Sequence, residues 1–188
     1  MKKTIAVFIG SIREERKGDL VSSYIQTELE KRGFTVHIID PKKYVFLQTL
    51  IQPYHHQDNP NIEFEKVHTL LEESDGFILL TPEYNHGYSG TIKNALDNFY
   101  DEYAQKPFGI ISYSVSRLGG VRANQALRLV IGELGGVAIP SSLVFGSVSK
   151  VFDSGNNLVD DYLQKETTEF LDEFEWYVNA LSVARLQG

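Results

Sequence analysis

Residues 77–99 read FILLTPEYNHGYSGTIKNALDNF. An apolar run over 77–80 meets Pro82 and passes into a loop carrying Tyr84, Asn85, His86, Gly87, Tyr88 and Gly90. A helical pattern follows over 91–100. Surface turns rarely need two tyrosines, a histidine and an asparagine around two glycines. The loop is therefore a candidate binding element set between a buried strand and a helix.

The same alternation extends in both directions. Apolar, β-branched runs at 4–9, 35–39, 76–80 and 108–113 predict strands, and 137–139 opens a fifth. Helical periodicity predicts helices over 20–32, 61–74 with Asn61 as N-cap, 91–100, 121–134 and 159–186. Lys93 and Asp97 lie four apart on one helical face and suit an ion pair. The strands are apolar without strict alternation, as expected when helices cover both faces of a parallel sheet. There is no internal repeat, low-complexity tract or linker, so residues 1–188 read as one doubly wound α/β domain. Residues 41–60 hold three prolines, His55-His56 and several aromatics with no period, and read as a long loop with a possible functional role.

Composition narrows the function. The chain has 188 residues, enough for one substantial core, and 42% hydrophobic with 23% charged residues is the balance of a globular protein. No apolar run reaches the roughly 18 residues of a membrane span. The start, MKKTIAVFIG, is basic and then apolar, but its apolar part is short and no small-residue cleavage site follows, so it reads as a first strand. The absence of cysteine removes disulfides, thiolate metal sites and thiol catalysis. A net charge of -7 argues against nucleic acid as partner. Adjacent His55-His56 without a nearby carboxylate pair read as exposed polar residues, and no metal is expected.

Ligands of open parallel sheets bind beyond the carboxyl ends of the strands, where strand order reverses. Three loops leave such ends. The first, GSIREERKGD at 10–19, joins a strand to a helix N-terminus, which favours an anion. Ser11 supplies a hydroxyl, Arg13 a guanidinium matched to phosphate, and Arg16, Lys17 and Gly18 can close the loop, with Glu14 and Glu15 expected to point away. A solvated βα loop of mixed charge is the other reading. Neither a Walker A motif nor GxGxxG is present. In the second loop, at 81–90, Tyr84, His86 and Tyr88 can cover the face of a flat heterocycle, while Gly87 and Gly90 allow close approach or positive φ. Packing of these aromatics on neighbouring helices is the alternative. The third, SVSRLGG at 114–120, offers Ser114, Ser116 and Arg117 before Gly119-Gly120 as the far wall of a pocket.

Taken together, GSIR at 10–13, TPEYNHGYSGTIKNALD at 81–97 and SYSVSRLGG at 112–120 resemble the NAD(P)H-dependent FMN reductase family, which includes quinone and azobenzene reductases. The resemblance runs from the first strand to about Pro140. It implies a flavodoxin-like fold with a five-stranded parallel sheet in the order 2-1-3-4-5. It also implies bound FMN, with NADPH or NADH as co-substrate. Ser11 and Arg13 match positions holding the FMN phosphate. Pro82, Glu83, Tyr84, Asn85 and Gly87, with His86 between them, match the loop lining the isoalloxazine ring. Gly119 and Gly120 match the glycine pair after the fourth strand. Two departures stand out: 16–19 is charged where the family often has small or hydroxyl residues, and the loop beginning Ser114-Val115 usually begins with glycines.

The implied reaction is a ping-pong, two-electron hydride transfer from NAD(P)H through FMN to quinones, azo compounds or free flavin. The cofactor carries the chemistry, and no catalytic side chain is required. The resemblance further implies a cytoplasmic homodimer or homotetramer, with Phe99, Tyr100 and Tyr103, or Tyr44, Phe46 and Tyr54, as candidates to reach a partner's site. Two other functions share the fold: a flavodoxin-type electron carrier with an acidic face at Glu169, Asp172, Glu173 and Glu175, and a flavin-bound sensing or interaction protein.

Overall fold

The computed structural model describes residues 2–49 and 52–187. Its strands are β1 Thr4–Ile9, β2 Thr35–Ile39, β3 Gly76–Tyr84, β4 Gly87–Tyr88, β5 Pro107–Tyr113, β6 Val137–Ala138 and β7 Leu143–Phe145. Its helices are α1 Gly18–Lys31, α2 Ile62–Glu72, α3 Gly90–Asp97, α4 Val121–Glu133 and α5 Asp161–Gln187. The main sheet runs β2-β1-β3-β5-β6, all parallel, with β7 also parallel to β5. This is the expected order, with β6 and β7 as two halves of the fifth strand.

Pro140, which has no N–H to give a ladder, lies between those halves. Arg128 reaches back from α4 and donates to the carbonyls of Ile139, Pro140 and Ser141 at 2.7, 3.0 and 3.1 Å. The interruption is thereby satisfied without a ladder partner.

Period-two alternation sorts each strand between two cores. Ile5, Val7, Ile78, Leu80 and Ile111 pack with α1 and α5. Ala6, Phe8, Phe77, Leu79, Phe108 and Ile110 pack with α2, α3 and α4. Helix α5 buries Leu163, Thr167, Phe170, Leu171, Phe174, Val178 and Ser182, a stripe of helical period. Asn61 caps α2 by accepting from the N–H groups of Glu63 and Phe64, and Lys93 pairs with Asp97, both as the sequence predicts.

The described residues of 41–60, expected to be a long loop, include two 3-10 turns, Val45–Gln48 and Tyr54–His56. They cover the α2 and α3 side. Phe46 meets Phe64 edge-on at 4.4 Å, Tyr54 stacks on His68 at 4.0 Å, and Asn94 donates to the Gln48 carbonyl. Tyr44, Phe99 and Tyr103 are buried in the chain's own core, so they are not the partner-reaching side chains the sequence allowed; Tyr100 is the exposed one. No helix of the described residues is long and apolar enough to cross a membrane.

Candidate functional site

The ends of β1, β3 and β5 open onto a cleft of about 300 Å³. Of the residues proposed from the sequence, Ser11, Arg13, Lys17, Pro82, Glu83, Tyr84 and Ser114 line it. Arg16, Tyr113, Val115 and Val148 complete the wall. Glu14 and Glu15, exposed residues of the same loop, also lie along it. The loop turns sharply at Glu15, whose φ is 50°.

In the first loop, the buried Ser11 hydroxyl hydrogen-bonds the Tyr84 hydroxyl at 2.9 Å. The Arg13 guanidinium lies over the Tyr84 ring, 3.9 Å from its centroid, and forms no ion pair among the described residues. Arg16 behaves differently. Its side chain is 5% exposed, grips Asp40 with two parallel N–H bonds, pairs with Asp19 at 2.7 Å and donates to the Ser11 carbonyl. It is an anchor for the loop rather than a free cation. Helix α1 begins at Gly18 without any side-chain cap; the Asp19 N–H is taken by the Arg16 carbonyl at 3.4 Å, and those of Gly18 and Leu20, without a partner among the described residues, are left for another acceptor.

The second loop is a hairpin. β3 continues past Pro82 to Tyr84, and β4 returns with Glu83 opposite Tyr88 and Tyr84 opposite Gly87. The two turn residues are Asn85 and His86, both with positive φ (50° and 67°), the signature of a type I′ turn. Gly87 and Gly90, expected to allow close approach or positive φ, do not adopt positive φ. Asn85 and His86 are exposed at the tip and do not line the cleft, and neither does Gly87. Tyr88 packs on the core shared by α2, α3 and α4 and does not line the cleft. Ser89, which the sequence reading passed over, caps α3 by accepting from the Ile92 N–H and donates its own proton to the Gly10 carbonyl. It ties the second loop to the first.

The third loop folds on itself. The Ser114 hydroxyl accepts from the Ser116 N–H at 3.1 Å and shares a hydrogen bond with the Ser116 hydroxyl at 2.8 Å. Ser116 and Gly119 fall outside the cleft lining. Gly119 (φ 59°) and Gly120 (φ 89°) have a structural reason for being glycine: a Cβ at 119 would come within 2.8 Å of the Gly146 nitrogen. Glu83 accepts from the Arg122 N–H at 3.1 Å and from its guanidinium at 3.3 Å. A carboxylate thus occupies the N-terminus of α4, leaving that of α1 as the uncapped one at the cleft.

Tyr113 is the second residue that the sequence reading missed. An aromatic residue ending an apolar strand reads as core, and its ring does join the α1 and α5 core. Its hydroxyl is buried beside the Ser11 side chain and meets no partner at full hydrogen-bond geometry among the described residues. Burial also pushes this phenol well above the ordinary tyrosine range, so it stays protonated. Among the described residues no group of three His, Asp or Glu side chains could hold a metal ion.

The donors of this site are a hydroxyl, a guanidinium without a carboxylate and an open helix N-terminus, beside aromatic walls. The chain is 27% identical over 187 residues to an FMN-dependent NADPH-azoreductase of Staphylococcus saprophyticus, covering 92% of this chain and 93% of the relative. It is 27% identical over 182 residues to a quinone reductase of Pseudomonas putida, covering 93% and 94%. The fold matches FerB, a flavoenzyme NAD(P)H:(acceptor) oxidoreductase of Paracoccus denitrificans, with a TM-score of 0.73 at 24% identity, over 93% of this chain and 98% of that one. Residues 3–150 match the model of the NADPH-dependent FMN reductases, and the chain belongs to that family.

Proposed function

We propose that this chain is an FMN-dependent NAD(P)H oxidoreductase acting on quinones, azo compounds or free flavin. The observation that carries the reading is the convergence of Arg13 and the uncapped N-terminus of α1 on one cleft at the strand ends. A flavin mononucleotide needs an anion cradle beside a flat-sided slot, and the residues fit it. Ser11, Arg13 and the first N–H groups of α1 would hold the phosphate, while Pro82, Glu83, Tyr84 and Ser114 would flank the ring system. When bound, FMN supplies ping-pong hydride transfer from reduced nicotinamide to the acceptor.

The protein's share is positioning. Arg16 fixes the shape of the anion loop through Asp40, and Ser89 locks that loop to the ring-side hairpin. The Arg13 guanidinium, held over Tyr84, is pre-placed as a charge-assisted donor. Backbone donors of the third loop are largely consumed: the N–H groups of Ser114, Ser116 and Gly119 bond to Phe145, Ser114 and Ser116.

An electron-carrier role is less well supported. Of its four acidic residues, Asp172 and Glu175 pair with Arg32, Glu169 pairs with Lys165, and Glu173 accepts from the Ser141 N–H. Little free acidic face is left for a redox partner. Self-association is part of the proposal. An apolar groove between α3 and α4, lined by Tyr100, Leu129, Val130 and Leu134, is open to solvent, and Leu129 is 82% exposed. Light scattering that finds only monomer would remove this part.

The direct test is the visible spectrum of the purified protein, with peaks expected near ~450 and ~370 nm, followed by NADPH oxidation with menadione. A protein that takes up no FMN sinks the reading; one that binds FMN but does not turn over is the carrier. Arg13→Ala is expected to weaken FMN binding by about 1.5–3 kcal/mol.

A further inference from the structure

We propose that the Tyr113 hydroxyl is a dedicated donor to the phosphate of the bound flavin nucleotide and makes this site select FMN over unphosphorylated riboflavin. The inference rests on the FMN reading above and adds to it a residue specific to this chain's anion cradle.

Tyr113 ends β5, is 4% exposed and lines the cleft at the foot of the first loop. Its ring is held in the core, so its hydroxyl has little freedom to seek water. That hydroxyl has no hydrogen-bond partner among the described residues, which is an unfavourable state for a buried donor. Ser11 Oγ, the side chain beside it that could accept its proton, is already engaged by the Tyr84 hydroxyl at 2.9 Å and the Arg13 N–H at 3.4 Å, and the Arg16 guanidinium, a donor only, cannot accept it.

Gly18 gives the second observation. A Cβ there would lie 2.5 Å from the Tyr113 hydroxyl oxygen. Gly18 has no positive φ to justify glycine, and glycine in a helix is unfavourable relative to alanine. The space it leaves is filled by the hydroxyl. Gly18 therefore brings Tyr113 against the uncapped start of α1.

Glu14, Glu15 and Glu83 also line the cleft, but Glu83 is engaged by Arg122, and the group set against the start of α1 is a donor, the Tyr113 phenol, beside the helix N–H groups and the Arg13 guanidinium. A flavin ring edge presents donors as well as acceptors, and a ribityl chain presents hydroxyls. A phosphate presents acceptor oxygens alone, and so matches a cluster of donors. A neutral phenol also adds this contact without another cation beside Arg13 and Lys17.

The experiment titrates flavin-free protein with FMN and, separately, with riboflavin, following quenching of flavin fluorescence, for the wild type, Tyr113→Phe and Gly18→Ala. Tyr113→Phe is expected to weaken FMN binding about 10-fold or more and leave riboflavin unchanged. Its flavin-free melting temperature should be unchanged or higher, because an unpartnered buried hydroxyl has been removed. Gly18→Ala should show the same FMN-selective loss by displacing the hydroxyl, and serves if Tyr113→Phe does not fold. Unchanged FMN affinity, equal losses for both flavins, or a lowered flavin-free melting temperature in Tyr113→Phe would overturn the assignment. A wild type that binds neither flavin would instead overturn the FMN reading itself.

Discussion

Arg16 and Asp40 face each other through two parallel hydrogen bonds, Nη1 to Oδ1 at 2.7 Å and Nη2 to Oδ2 at 2.6 Å, joining the anion loop to the end of β2. Burial alone would raise the Asp40 carboxyl, but the Arg16 hydrogen bonds and the Lys42 N–H outweigh it and hold it below the usual range. Removing the guanidinium in Arg16→Met leaves that carboxylate without its counter-ion. The expected cost is about 2–4 kcal/mol in denaturant unfolding. Arg16→Lys should recover only part, because an ammonium cannot reproduce the planar fork. The pH dependence has a definite sign. A depressed carboxyl stabilises the fold above its unfolded value, roughly 3.9, and loses that contribution as pH falls through the folded value. Asp40→Asn should therefore flatten the acid limb of the stability curve; an unchanged acid limb would contradict the pairing.

Lys106 has the opposite sense. Burial, with Arg185 as a second cation, lowers its pKa to about 8, although its Nζ donates to the carbonyls of Leu71 and Glu72 at the end of α2. A lysine titrating lower in the folded than in the unfolded state means that the unfolded chain holds more protons between the two values. Stability then rises with pH across that interval, from about 8 towards roughly 10.4. Chemical denaturation at steps through this range should show the rise in the wild type and lose it in Lys106→Met. A rise that survives the substitution must come from another group.

How much of this was legible depended on how far apart the cooperating residues lie. Strands and helices were readable because their signals are local: apolar runs, helical spacing and the Asn61 cap. The end of β3 was not, because Pro82 reads as a stop, yet β3 extends past Ile9, the end of β1, to pair with β5 and β4. The turn at Asn85-His86 was hidden because positive φ is sought first at glycine, and two glycines stood nearby. Arg16 was readable only as a loop cation, since its main partner lies 24 residues away. Tyr113 gave a correct core signal from its ring and none from the hydroxyl at its other end. Ser11, Arg13 and Tyr84 could be named together from the sequence because they come to the cleft from loops leaving adjacent strand ends.

Ser89 separates helix capping from loop tethering. It is 1% exposed, accepts from the Ile92 N–H at 3.2 Å and donates to the Gly10 carbonyl. Ser89→Ala loses both and is expected to cost about 1–3 kcal/mol. Aspartate caps a helix as well as serine does, so a pure capping role predicts a mild Ser89→Asp. The tether predicts the reverse, because a carboxylate facing the Gly10 carbonyl has no proton to give. Thermal melts should rank Ser89→Asp below Ser89→Ala; the opposite order would reduce Ser89 to a cap.

His86 is the side chain of this loop that most invites a proton-donor role, and its backbone points elsewhere. With φ at 67°, it occupies the second central position of a type I′ turn, after Asn85 at 50°. Asn-Gly is the sequence that this turn prefers, because a Cβ in the left-handed region costs on the order of 1 kcal/mol. His86→Gly should therefore hold or raise stability by up to about 1 kcal/mol, with part of the gain offset by glycine's freedom in the unfolded chain. The imidazole is exposed at the hairpin tip and does not line the cleft. Turnover with NADPH and menadione should then stay within a few-fold of the wild type. A general acid at this position would be worth roughly 10²–10⁴ in rate, so a folded His86→Gly protein that lost that much would return the residue to the chemistry. Retained turnover with equal or greater stability would establish His86 as a turn former that happens to carry a titratable ring.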